Sequence, residues 1–111
     1  MYINGFEDIN DILYEFSADK DALDGATLLM AVYDTPPYEG YAFVLYEKDG
    51  KLYEVNGSHC SCYGLEGQWE PEETTVEALS YRIKKGHFGY PFDSDAKFKE
   101  ELQKIILKTS L

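Results

Sequence analysis

Basic residues are scarce. The 111-residue chain carries 10 Lys and Arg against 21 Asp and Glu, a net charge of −11 at neutral pH. Such a charge is repelled by nucleic acid and by anionic membrane surfaces, which argues against direct binding to either and favours a basic protein as partner. Long hydrophobic runs are absent too: the longest spans only a few residues, too short to cross a bilayer. The opening MYINGFEDIND has neither a basic start nor an apolar core, so no secretory signal is expected. Cysteine is almost missing. The two present, Cys60 and Cys62, stand one residue apart, too close for a bridge that would close a useful loop. A reducing, cytoplasmic setting is therefore expected.

What is present points to a folded protein. The chain is 44% apolar, with 10 Tyr, 6 Phe and 1 Trp, which argues against disorder. Its length predicts one domain over residues 1–111. The charge is unevenly spread. Residues 1–47 hold ten acids and one base, Lys20; residues 48–77 hold seven acids and two bases; residues 78–111 hold four acids and seven bases.

Residues 5–18 read as an amphipathic helix capped by Asn4. Phe6, Ile9, Ile12, Leu13 and Phe16 fall in one arc, and Glu7, Asp8, Asp11 and Glu15 in the opposite one. Glu7, Asp11 and Glu15 recur every four residues, so like charges stack along the helix at a small cost in stability. Residues 26–34 read as a buried strand, and TPPYEG (35–40) as a loop, because paired prolines leave a ladder. Residues 41–56 predict a β-hairpin turning at Asp49-Gly50, with Tyr46 opposite Tyr53 and Val44 opposite Val55 on the core face. Phe43, Leu45, Leu52 and Glu54 occupy the other face, a mixed set that suggests partial covering. Gln68–Glu70 reads as a short strand before Pro71. Capping-box spacing at residues 74–77 predicts a helix from about residue 75 to Lys85, stopped by Gly86. GHFGYPF (86–92) reads as a connector. Asp93 or Ser94 caps a last helix to about Lys108, with Phe98, Leu102, Ile105 and Ile106 inward. The expected fold is α+β: a small antiparallel sheet of three to four strands around the 41–56 hairpin, packed with an N-terminal helix and two C-terminal ones.

NGSHCSCYGLEGQW (56–69) gathers both cysteines, one of the two histidines and the only tryptophan. His59, Cys60 and Cys62, with His87, offer four zinc ligand atoms, but structural zinc sites space their cysteines two to four residues apart and in pairs. A cysteine nucleophile needs a cation or helix N-terminus to lower its pKa, and the surroundings are acidic. The reading adopted is structural: the strand continues, Cys60 and Cys62 fill space on one side, Gly57, Gly64 and Gly67 let the chain turn, and Trp69 plugs the core. No catalytic constellation, cofactor loop or metal site is expected, and the protein is read as a non-enzyme.

Residues 48–79, KDGKLYEVNGSHCSCYGLEGQWEPEETTVEAL, resemble a group of small, largely uncharacterised proteins of bacteriophages and prophages. The shared succession is a hairpin strand, a CSCYGLEGQW-like segment, a Pro-Glu-Glu-Thr-Thr turn and a helix, covering roughly residues 41–85. The resemblance implies phage origin and action in the host cytoplasm, of the kind exerted by anti-CRISPR inhibitors. Joined to the charge, it leads to an expected function: a stoichiometric inhibitor that fills the basic groove of a nucleic-acid-binding host protein or CRISPR effector complex. Duplex DNA carries about one charge per 1.7 Å of axis, so a competitor needs grouped carboxylates. Glu7, Asp8, Asp11 and Glu15 form such a row, Asp19, Asp21 and Asp24 extend it, and Glu66, Glu70, Glu72 and Glu73 make a second patch. The alternatives are an interaction module using Tyr2, Tyr38, Tyr41, Tyr63 and Tyr90, or a small zinc protein.

Overall fold

The structure, a computed structural model, describes residues 2–4, 8–34, 39–60, 64–86, 92 and 96–109; of these, the side chains of residues 2–4, 34, 39, 59 and 60 are outside the description. The chain divides into two compact units, Met1–Glu73 and Thr74–Leu111.

The fold is α+β. In chain order the elements are β1 (Tyr2–Asn4), α1 (Ile9–Phe16), β2 (Thr27–Asp34), β3 (Glu39–Lys48), β4 (Lys51–Cys60), β5 (Glu72–Thr74), α2 (Val76–Lys85) and α3 (Ala96–Thr109). The strands form one sheet in the order β1-β2-β3-β4-β5. β2 pairs antiparallel with β3, and β3 antiparallel with β4. β1 adds to β2 in parallel, which requires a crossover, and α1 lies within it.

The hairpin has the expected register, Tyr46 opposite Tyr53 and Val44 opposite Val55. Its turn places Asp49 at φ 55° and Gly50 at φ 80°, the positive angles that a two-residue turn with the right twist demands. The Tyr46 and Tyr53 rings stack at 5.4 Å. On this face Ala31, Tyr33, Ala42, Val44, Tyr46 and Val55 close over Ile12, Leu13 and Phe16 of α1. The opposite face is covered more fully than the mixed set suggested: Met30, Val32, Phe43 and Leu45 are buried, and so is Glu54, whose Oε1 accepts a 3.4 Å hydrogen bond from Asn56 Nδ2.

Several boundaries differ from the sequence reading. β3 begins at Glu39, inside the stretch 35–40 read as a loop, because Glu39 and Gly40 pair with Cys60 and His59 of β4. α1 begins at Ile9, not Gly5, and its cap is Asp8 rather than Asn4. Asn4 is taken by β1, opposite Tyr33, while Asp8 is extended and its carboxylate accepts from Asp11 N–H at 2.9 Å. Residues 68–70 form no strand; β5 follows Pro71 instead. Gln68 meets β4 through its side chain and Trp69 turns into the core, so neither extends a ladder. Gly57 lies within β4 opposite Ala42, where its bareness serves packing rather than turning.

The C-terminal unit follows expectation closely. Thr75 caps α2 by accepting from Ala78 N–H at 3.1 Å, and Gly86 ends it at φ 69°. In α3, Phe98, Leu102 and Ile106 are buried and Ile105 is half-buried. Phe92 stacks on Phe98 at 4.7 Å. The expected caps Asp93 and Ser94 lie outside the described residues.

Candidate functional site: an acidic cleft at the end of α1

α1 ends where Ser17 turns left-handed, at φ 52°, and Ala18 N–H reaches back to Leu13 O at 2.9 Å. The chain then descends through turns at Asp19–Ala22 and Asp21–Asp24 into β2. Beside this corner lies the segment after β4, residues 64–69. Its anchor is Gln68. The side-chain amide accepts from Ser58 N–H at 2.8 Å, donates to Ser58 O at 2.6 Å and donates again to Gly64 O at 3.1 Å. One amide thus satisfies both backbone groups of Ser58 as a neighbouring strand would. Leu65 and Trp69 pin the segment from below. Leu65 is fully buried, and Trp69 meets Phe16 edge-on at 5.3 Å and stacks over Tyr46 at 6.3 Å.

These two pieces enclose an open cleft of about 680 Å³, with Glu15, Lys20 and Glu66 as its charged walls and Leu13 and Tyr14 among its apolar ones. Glu66 Oε1 accepts from Gly64 N–H at 3.3 Å, which orients the carboxylate. Tyr33, buried on the α1 face of the sheet, feels both carboxylates. Its hydroxyl pKa is raised above 10.0, first by burial and then by the negative charges of Glu15 and Glu66. The cleft therefore brings together one member of each acidic group that the sequence separates by fifty residues. It also includes Lys20, the lone base of residues 1–47, which offsets part of their charge.

The remaining candidates are placed as follows. Asp8 is exposed but holds the helix start, and Asp11 is half-buried in the first turn. Asp19, Asp21 and Asp24 are exposed on the corner after α1. Glu70, Glu72 and Glu73 are exposed just before and within β5 and do not line the cleft. Glu7 lies outside the described residues. So do the side chains of His59 and Cys60 and all of Cys62 and His87, the alternative zinc set; among the described residues no group of three or more metal-ligating side chains occurs. Of the tyrosines in the alternative reading, only Tyr41 has a described side chain, and it is half-buried. Two residues passed over in the sequence matter here. Tyr14 is 80% exposed on the acidic side of α1, and Gln68 fixes the second wall. Tyr14 could have been found, since it falls outside the apolar arc; nothing marks Gln68.

The fold and this cleft define a small acidic α+β protein with no membrane-crossing helix among its described residues. No family model, curated protein or solved structure matches the chain.

Proposed function

We propose that the chain is a stoichiometric inhibitor that occupies a basic, nucleic-acid-binding groove on a host protein, as a phage-encoded anti-CRISPR-type inhibitor would. The observation that supports this reading most is the convergence of Glu15 and Glu66 at one cleft, within a unit that holds sixteen acids against three bases. Carboxylates on a helix and on a pinned loop are grouped at one cleft, as phosphates are grouped along a nucleic acid strand. Complementary potentials speed encounter and set orientation. Tyr14 adds an exposed aromatic ring beside the charges, a side chain of the kind that anchors interfaces.

The test is capture from a host lysate on immobilised protein, followed by elution with nucleic acid. A basic nucleic-acid-binding protein should be retained and then displaced by added DNA or RNA. Retention that nucleic acid leaves untouched would remove the proposal.

A further inference from the structure

The C-terminal unit has a surface of its own. α2 carries Glu77, Ser80, Tyr81 and Lys84 at i, i+3, i+4 and i+7, one stripe of a helix. All four line an open cleft whose apolar floor is Val76 of α2 and Ile106 of α3. Tyr81 is 55% exposed there, a large ring at the rim of an apolar groove.

We infer that this groove is the interface of a homodimer, filled by the same groove of a second copy. Charge favours this pairing. Two chains of −11 repel each other, and the repulsion resides in Met1–Glu73; Thr74–Leu111 holds seven bases against five acids. This is where two copies approach at least cost. The stripe is also self-complementary. When α2 packs antiparallel on its own copy about a two-fold axis between positions 80 and 81, Glu77 faces the partner's Lys84 and Lys84 faces the partner's Glu77. A two-fold interface must match its own surface in this way. The small Ser80 at the axis allows the helices to approach to about 8–10 Å, the usual packing distance. Tyr81 then enters the cleft of the partner's Val76 and the partner's Ile106. The arrangement does not depend on the inhibitor reading, because it is measured without any target.

The experiment is sedimentation equilibrium of the wild type, of Glu77→Lys, of Lys84→Glu and of an equal mixture of the two variants, with circular dichroism to confirm folding. The wild type should show twice the 12.7 kDa chain mass at high concentration. Each variant alone places like charges opposite at both ends of the stripe and should dissociate at least tenfold more readily. The mixture restores two opposite-charge pairs and should return to dimer, which native mass spectrometry identifies as mixed. A wild type that stays monomeric up to submillimolar concentration overturns the inference. So do variants that dimerise like the wild type, or a mixture that stays monomeric.

Discussion

Gly57 shows how tightly α1 is seated. A Cβ built there would lie 2.9 Å from Phe16 Cε1 and 3.1 Å from Leu65 Cδ2, closer than packed carbon atoms tolerate. Gly57→Ala should therefore destabilise the fold by about 1–3 kcal/mol, the usual cost of overpacking, as read by denaturant unfolding. Adding Phe16→Leu should recover part of the loss. The sequence shows a glycine among turn-forming neighbours; its true constraint comes from a ring more than forty positions away, which no local pattern reveals. Tyr33 gives a second expectation. Its folded pKa is raised, by burial and then by Glu15 and Glu66, so on a rise past pH 10 the unfolded chain gives up this proton first. The stability contributed by the neutral phenol is full below the unfolded pKa and is lost as pH climbs through the folded one. Tyr46, raised by burial and by Tyr53, acts in the same direction. Replacing Glu15 and Glu66 with Gln should move the Tyr33 titration downward, followed by phenolate absorbance with Tyr33→Phe as the reference. An unmoved titration would mean that the two carboxylates are not gathered at the cleft.

At the scale of elements, periodicity carried most of the fold. The hairpin register, the capped α2 and the inward face of α3 were all legible because turn residues, caps and apolar spacing act locally. Two features were not. β2 has a register shift between Leu28, opposite Tyr46, and Met30, opposite Leu45. The extra residue flips the alternation, so that Leu28 and Ala31 share the α1 face while Met30 points away. An all-apolar run gives no sign of where such a bulge sits. The start of α1 was misplaced because both Asn4 and Asp8 are good caps, and long-range pairing of β1 with β2 decided between them. Asp8→Ala should cost about 1 kcal/mol in thermal or chemical unfolding, the typical value of a lost cap, with Asp8→Ser retaining most of it. Equal losses for both would show that Asp8 acts by charge alone.

For the whole molecule the governing feature is segregated charge. Its existence was plain in the sequence; its geometry was not, since Glu66 comes to the cleft that Glu15 lines through the Gln68 anchor and the packing of Leu65 and Trp69. The two carboxylates line one cleft, and a clustered acidic surface binds a cationic groove with a steep dependence on salt. The most direct measurement is the affinity for the captured partner over a range of salt concentrations, for the wild type and for Asp11→Lys/Glu15→Lys/Glu66→Lys. Binding should weaken steeply as salt rises, and the variant should bind at least about tenfold less tightly at low salt, a loss of about 1.4 kcal/mol, with a flatter salt dependence. A folded variant with unchanged affinity and unchanged slope would contradict binding through these carboxylates.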